Sequence, residues 1–278
     1  MNSHLNGRTV LVTGAGNGFG RLICELSAAR GANVVGADIN ADGLAETATT
    51  IEKDGGTFAH QVTDVTDKAQ TDAVARLAVE RFGSIDVLVN CAGIMPLAFF
   101  ADHERAWRAW DTCIDINFKG VVHGIASVHD QMTRQGRGHI VNVSSIYGNA
   151  GAAGSGVYSA TKAAVNVLSE SLRVESQGKI KVTVVRPTGI PGTGLMNSII
   201  NPEAVLGIIG HNMKRFQART AQATDGTLPP EYADSDDPRY WVPTPKELAE
   251  NVLYTIDQPW GVSISDITVR ATGEDMVL

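Results

Sequence analysis

Tyr158 and Lys162 are the residues of this sequence whose types and spacing point most directly to chemistry. Residues four positions apart on a helix share one face, so the ammonium group can lie beside the phenol. A neighbouring cation favours the phenolate, and it is expected to lower the phenol pKa from about 10 toward neutrality. Such a phenol can exchange a proton with a substrate. The same spacing is also common on structural amphipathic helices, so the pair needs support from its surroundings.

A glycine-rich segment near the start of the chain is the second candidate for chemistry. It follows a β-branched run and precedes a helical pattern, an arrangement that lets backbone amides and a helix amino terminus approach a pyrophosphate. The common pattern G-x-G-x-x-G fails because Phe19 stands where a glycine is required. The pattern that fits is G-x-x-x-G-x-G through Gly14, Gly18 and Gly20. A nucleotide site is one interpretation and a structural tight turn is the other.

Asp38 ends the next β-branched run, 18 residues after Gly20. An acidic group at this place can accept hydrogen bonds from the adenosine ribose hydroxyls and would repel a 2′-phosphate. It therefore favours NAD over NADP as the cofactor. The alternative is a cap for the helix predicted to begin near Ala41.

Short β-branched runs alternate along the chain with longer helical stretches that must position these residues. The predicted strands are Thr9 to Val12, Asn33 to Ala37, Thr57 to Gln61, Ile85 to Val89, His139 to Val143, Lys181 to Val185 and Ser265 to Val269. The predicted helices are Gly20 to Arg30, Ala41 to Lys53, Lys68 to Phe82, Arg108 to Gln135, Val157 to Gln177 and Pro245 to Ile256. Most strands are apolar throughout, which indicates a parallel sheet with helices on both faces. In such a doubly wound sheet a ligand crevice is expected at the carboxyl ends of strands one and four.

One long connection, residues 188–241, interrupts this alternation. It mixes apolar residues with a polar section, and connections of this length in a compact domain are usually functional or partly disordered. We expect residues 1–278 to form a single domain in which this segment, called the lid insertion below, is a mobile cover with one or two short helices.

Composition excludes several classes of function. The net charge is −7 and the isoelectric point is about 5.5, so nucleic acid and anionic membranes are not expected as partners. Three cysteines are too few for a disulfide framework, and no signal peptide or spanning segment is evident, so a cytoplasmic location is expected. No metal-binding motif occurs, and no metal is expected.

Taken together, these motifs resemble the short-chain dehydrogenase/reductase family, in its single-domain branch. The resemblance covers essentially the whole chain. It rests on six motifs in order, each at a strand end or on a helix: Thr13 to Gly20, Asp64-Val65, Asn90 to Gly93, Asn117 to Gly120, Ser145, and Tyr158 with Lys162.

The resemblance implies a Rossmann-type, doubly wound parallel sheet of seven strands and NAD(P)-dependent oxidation of an alcohol or reduction of a ketone. Tyr158 would exchange the proton with the substrate oxygen, and Ser145 would polarise that oxygen. Lys162 would hold the nicotinamide ribose and support the phenolate, while Asn117 would anchor a water that links Lys162 to solvent. The residues implied to contact the cofactor are Gly14, Asn17, Gly18, Phe19, Gly20, Asp38, Asp64, Val65, Asn90, Ala92, Gly93, Tyr158, Lys162, Pro187, Gly189 and Ile190.

Two segments depart from the family pattern. Cys91 replaces the second asparagine of N-N-A-G, and no chemistry is assigned to it. After the sixth predicted strand, Thr188 separates Pro187 from Gly189, and the next threonine, Thr193, comes one position late. The backbone around the carboxamide of the cofactor and the roles of both threonines therefore stay open.

Met95, Tyr147 and Met196, together with Ser145 and Tyr158, are expected to line the substrate pocket. A lining poor in basic residues favours a lipophilic secondary alcohol or ketone over a phosphorylated or CoA-linked one. Basic residues of the lid insertion keep an anionic substrate open as an alternative; they are Lys214, Arg215 and Arg219.

Two other functions remain to be weighed. Nucleotide-sugar epimerases or dehydratases also use a Tyr-x-x-x-Lys pair, but their glycine turn is usually G-x-x-G-x-x-G, and a separate carboxyl-terminal sugar domain follows; Asn17 and the chain length speak against them. Non-catalytic NAD-binding sensors typically lose the tyrosine or the lysine. The resemblance also suggests a homotetramer or homodimer in which the long fourth and fifth helices pair between subunits.

Overall fold

The computed structural model describes residues 3–190 and 192–278, and this part of the chain contains one parallel sheet of seven strands. The strand order is β3-β2-β1-β4-β5-β6-β7, so the order reverses between β1 and β4. The strands are β1 (Thr9–Thr13), β2 (Asn33–Asp38), β3 (Thr57–Val62), β4 (Val87–Asn90), β5 (Gly138–Val143), β6 (Ile180–Pro187) and β7 (Asp266–Val269). The prediction of a doubly wound, Rossmann-type α/β fold is confirmed.

The helices cover both faces of the sheet. They are α1 (Gly18–Ala29), α2 (Ala41–Lys53), α3 (Lys68–Phe82), α4 (His103–Ile114), α5 (Gly120–Gln135), α6 (Gly156–Glu175), α7 (Val205–Ile209), α8 (Met213–Thr224) and α9 (Pro245–Ile256). One buried cluster joins the sheet to α1, α2 and α9, and a second joins it to α3, α5 and α6. The apolar strands are thus buried on both sides, as their composition predicted.

The fourth predicted helix differs from the observed one. The chain is helical from His103, five residues before the predicted start at Arg108, and it contains a π-helical segment, Asp115–Lys119, between α4 and α5. A π segment contains an extra residue in its turn and is frequent at functional sites. Here it places Asn117 toward the end of β4, as described below.

The lid insertion contains more helical turns than expected. Besides α7 and α8, the described residues form four short 3₁₀ turns, Gly194–Ser198, Pro202–Ala204, Gly210–Asn212 and Pro230–Tyr232. Its apolar side chains pack in a third cluster with Tyr147 and Tyr158. The lid insertion therefore packs against the same side of the sheet edge as the candidate catalytic residues; its mobility stays a prediction. Within the described part of the chain, no helix is long and apolar enough to cross a membrane.

Candidate active site

A crevice of about 700 Å³ opens at the carboxyl edge of the sheet. Its wall is formed by the glycine turn after β1, the ends of β2 and β3, the loop after β4, and the loop after β6. Ser145 after β5 and two residues of α6, Tyr158 and Lys162, complete the wall. The crevice thus lies where the reversal of strand order places it.

The glycine turn is too closely packed for side chains. A Cβ atom on Gly20 would lie 2.1 Å from the carbonyl oxygen of Gly14, and one on Gly14 would lie 3.0 Å from the backbone of Ala92. Gly14 and Gly18 have φ angles of +73° and +49°, a region that side chains disfavour. The turn leads directly into α1, and Phe19 and Gly20 in the first turn of this helix line the crevice. This cradle fits a dinucleotide pyrophosphate.

Asp38 binds the backbone of the glycine turn and also lines the crevice. Its carboxylate accepts hydrogen bonds from the backbone N–H of Gly16 at 2.8 Å and of Asn40 at 2.9 Å. The interpretation of Asp38 as the cap of α2 is wrong, because the Asn40 side chain caps that helix by accepting from Gly43. Asp38 lines the crevice, and its contact with the adenosine ribose stays a prediction.

Ser145, Tyr158 and Lys162 meet at the crevice. The phenol of Tyr158 is hydrogen-bonded to Ser145, and the Nζ atom of Lys162 lies 5.8 Å from the centroid of the phenol ring. Lys162 also donates a hydrogen bond to the carbonyl of Val143 at 2.8 Å, which ties α6 to the end of β5. The two hydroxyls and the ammonium group therefore share one small volume.

Burial determines the protonation of this group. It raises the pKa of Tyr158 to about 12, against an opposing contribution from the Ser145 hydrogen bond. The prediction of a lowered phenol pKa is therefore wrong for the protein's own groups, because loss of solvent disfavours the phenolate more than the neighbours stabilise it. Burial also lowers the pKa of Lys162 to about 8.

Asn117 lies behind the crevice wall and not in it. Its amide nitrogen donates to the carbonyl of Ile94 at 2.8 Å, and its amide oxygen accepts from the N–H of Ile94 at 2.9 Å. A Cβ atom on Gly93 would lie 3.2 Å from this oxygen and 3.7 Å from Nζ of Lys162. Asn117 thus fixes the loop beside Lys162, and its predicted water contact remains a prediction.

Most residues predicted to hold the cofactor lie in the crevice wall. These are Gly14, Asn17, Phe19, Gly20, Asp38, Asp64, Val65, Ala92, Gly93, Tyr158, Lys162, Pro187 and Ile190. Gly18 and Gly189 lie beside the wall without forming it. The Asn90 side chain points away, since it is buried against α5 and donates to Asn142 at 2.8 Å.

The structure does not bring three predicted substrate residues to the crevice wall. Met95 is buried in the third cluster, and Tyr147 is buried there with its hydroxyl donating to the carbonyl of Ile208 at 3.0 Å. Met196 is about half exposed on the lid insertion. Ser145 and Tyr158 do line the crevice, as do both threonines of uncertain role, Thr188 and Thr193.

Sequence reasoning missed a contact of Thr13. Its hydroxyl accepts hydrogen bonds from the backbone N–H groups of Cys91 at 3.0 Å and Ala92 at 3.2 Å. It thus fastens the loop after β4 to the end of β1. The only signal was the position of Thr13 directly before the glycine turn. Cys91 lines the crevice, and burial raises the pKa of its thiol to about 12, so the thiol stays protonated.

Metal-ligand clusters were sought across residues 3–190 and 192–278. No group of three or more His, Cys, Asp or Glu side chains in that part of the chain could hold an ion.

Comparison with known proteins identifies the family. The profile of the short chain dehydrogenase family matches residues 8–204. The chain belongs to the short-chain dehydrogenases. This dehydrogenase is 32% identical over 273 residues to the uncharacterized oxidoreductase Lmo0432 of Listeria monocytogenes, a match that covers 97% of this chain and 98% of that one. It is an oxidoreductase, and hence an enzyme.

Solved structures of similar proteins share the fold. A 7α-hydroxysteroid dehydrogenase complexed with NADH and 7-oxo glycochenodeoxycholic acid superposes with a TM-score of 0.78 at 25% identity, covering 98% of this chain and 96% of that one. A short-chain dehydrogenase/reductase from Burkholderia phymatum in complex with NAD superposes with a TM-score of 0.74 at 27% identity, covering 95% of this chain and 89% of that one.

The buried lysine gives this dehydrogenase a testable dependence of stability on pH. The ordinary pKa of lysine is 10.5, whereas Lys162 in the folded chain titrates at about 8. Between these values the unfolded state binds more protons, so the contribution of Lys162 to the free energy of unfolding rises with pH. Urea unfolding of wild type and Lys162→Met at about pH 7 and about pH 10 measures this contribution. Between the two pH values, the free energy of unfolding of wild type should rise by up to about 3 kcal/mol relative to that of Lys162→Met. Parallel pH dependences of the two proteins would contradict this.

Proposed function

We propose that this dehydrogenase interconverts a secondary alcohol and a ketone, with NAD as the hydride carrier. The observation that carries the proposal is the meeting of Ser145, Tyr158 and Lys162 in a crevice that starts at a glycine turn too tight for side chains. When bound, the nicotinamide would accept or deliver the hydride. The chain supplies position, hydrogen bonds and the proton.

The proton chemistry of the site favours a phenol that starts protonated. With a pKa of about 12, Tyr158 holds its proton at neutral pH and can donate it to the oxygen of a ketone. Ser145 can donate a second hydrogen bond to the same oxygen and so stabilise the charge that develops there. Lys162, whose pKa is about 8, can return a proton to the phenol from solvent. In the oxidation direction these transfers run in reverse.

Replacing Tyr158 by phenylalanine removes the proton donor and leaves the ring in place. We expect turnover to fall by about 100-fold or more, while the affinity for NADH changes little, because the hydroxyl acts on the substrate. Steady-state rates and a fluorescence titration with NADH measure the two effects. Tyr254→Phe, on the exposed face of α9, is the matched control. Unchanged turnover in Tyr158→Phe would refute the assignment.

The preference for NAD is proposed from Asp38. Its carboxylate lines the crevice beside two uncharged residues, Ile39 and Asn40. A negative charge there repels a 2′-phosphate, and neither neighbour offers a cation to bind it. Arg21, the basic residue nearest to the turn, is held by the carbonyl of Gly16 at 2.7 Å and by Glu46.

Asp38→Asn tests this preference without breaking the turn. The asparagine oxygen can still accept from the N–H of Gly16, but the negative charge is gone. We expect the ratio of kcat/KM for NADP over NAD to rise by about tenfold, the size of a removed like-charge contact. Asp42→Asn, on the first turn of α2, is the control. If Asp38→Asn leaves the ratio where it is in wild type, Asp38 does not select the cofactor.

A lipophilic substrate is proposed from the surroundings of Tyr158. The third cluster packs apolar side chains of the lid insertion against Tyr158. Among the residues that the structure describes, Lys162 is the single basic residue in the crevice wall. Arg215 and Arg219 of the lid insertion are engaged by Asp275, which weakens the alternative of an anionic substrate. The steroid in the complex of the 7α-hydroxysteroid dehydrogenase is consistent with this class.

The three free cysteines, Cys24, Cys91 and Cys113, support the proposal of a cytoplasmic location.

Assembly into a homotetramer or homodimer is proposed through α4 to α6. Val167 and Val174 on α6 are 71% and 75% exposed, and Trp107 on α4 and Val122 on α5 are also accessible. Apolar side chains of this kind are typical of a surface covered by a second copy of the chain.

Sedimentation velocity of the wild type should show a species at least twice the mass of the 29.4 kDa chain. Val167→Glu introduces a charge into the proposed interface, so we expect it to shift the distribution toward monomer. Val262→Glu, at another exposed valine, should leave the distribution unchanged. A monomeric wild type would contradict the proposal.

A further inference from the structure

Asp275, three residues before the last residue of the sequence, is a buried carboxylate that the proposed reaction does not use. Its side chain is 0% exposed. It accepts hydrogen bonds from Arg215, from Arg219 at 3.2 Å to both oxygens, and from the indole N–H of Trp241 at 2.8 Å. A charge buried to this degree requires such a complete set of donors.

All three donors belong to the lid insertion. Arg215 and Arg219 lie one turn apart on α8, and Trp241 is the last residue of the insertion. Backbone contacts strengthen the link, because Asn212 donates to the carbonyl of Asp275 at 3.0 Å and Arg219 donates to the carbonyl of Gly273 at 3.0 Å. The carboxyl-terminal tail, residues 273–278, is therefore tied to the lid insertion at both α8 and its end.

Met276, the next residue, lies against Gly189 and Tyr147, beside the crevice. A Cβ atom on Gly189 would lie 2.1 Å from the terminal methyl carbon of Met276, and the hydroxyl of Tyr147 lies 3.6 Å from its sulfur. Met276 and Leu278 pack against the third cluster, which contains Tyr158. Glu274 adds a contact with Thr188, a residue of the crevice wall, and burial raises the pKa of this carboxyl group.

We propose that Asp275 is a positioning residue that fastens the lid insertion to the carboxyl-terminal tail, and that the tail presents Met276 as a wall for the apolar part of the substrate. The thioether is flexible and polarisable, so it adapts to irregular apolar groups. The fastening follows from contacts alone. The role of Met276 in substrate selection rests on the proposed function.

Limited trypsin digestion tests the fastening without any substrate. Asp275→Asn keeps the shape of the side chain but leaves Arg215 and Arg219 without a buried counter-charge, so α8 should open more often. We expect cleavage at Lys214, Arg215 and Arg219 to become about tenfold faster, because proteolysis follows the population of the open form. Affinity for NADH should stay within about twofold of wild type, since Asp275 does not contact the crevice.

Asp237→Asn is the matched control, because the side chain of Asp237 pairs with Arg239 inside the lid insertion. Its digestion should match that of wild type. Equal digestion of Asp275→Asn and wild type would overturn the fastening. If Asp275→Asn fails to fold, Trp241→Phe removes the indole donor and keeps an aromatic ring at the position that packs on Phe216. That variant should then be cut about threefold faster at α8, and wild-type digestion would be the contradicting result.

Met276→Ala tests the proposed contact between Met276 and the apolar part of the substrate. We expect the ratio of kcat/KM for a bulky over a small secondary alcohol to change by about fivefold through KM, with the affinity for NADH unchanged. Val277→Ala, the adjacent residue, serves as the control. An unchanged ratio would overturn the role of Met276. If the wild type oxidises no alcohol, the proposed function fails, and the digestion experiment still decides the fastening.

Discussion

The parallel pairing of β1 with β4 is the constraint on which the candidate site depends. Val10, Leu11 and Val12 pair in register with Val87, Leu88 and Val89, so both strands end at the same edge. The chain leaves β1 toward α1 and leaves β4 toward the opposite face, which opens the crevice between the two loops. The Thr13 hydroxyl then bonds the second loop to the end of the first strand. The glycine turn and the candidate catalytic residues line the same crevice because this edge is shared.

Desolvation gives the site its chemical character. Tyr158 and Lys162 are both buried, and burial moves their pKa values in opposite directions, to about 12 for the phenol and about 8 for the ammonium group. The neutral forms are favoured on both residues, so the protein by itself holds a protonated phenol beside an ammonium group that is easily deprotonated. Such a pair can pass a proton from solvent to the phenol, because the ammonium group can give up its proton and regain one from solvent. Asn117 supports the pair indirectly, since it fixes the loop at Gly93 against which Lys162 lies.

The sequence alone predicted those structural features that leave a local pattern of residue types. β-Branched runs predicted all seven strands to within about three residues. In the five inner strands, burial on both faces leaves an unbroken apolar pattern. The π segment at Asn117 was not predictable, since it depends on packing against the end of β4. The raised pKa of Tyr158 was missed because burial is a property of the folded chain. The Asp275 contacts were missed because Arg215 stands 60 residues earlier and ion pairs leave no periodic signal.

The central claim is that this dehydrogenase transfers a hydride between a nicotinamide and the carbinol carbon of a lipophilic substrate. The most direct measurement uses NADH deuterated stereospecifically at the reactive carbon, with a panel of hydrophobic ketones and mass spectrometry of the alcohols formed. The account predicts a deuterium atom on the carbinol carbon of at least one product, delivered from one face of the cofactor only. Failure of every ketone to be reduced, or an alcohol without deuterium from both labelled stereoisomers, would contradict it.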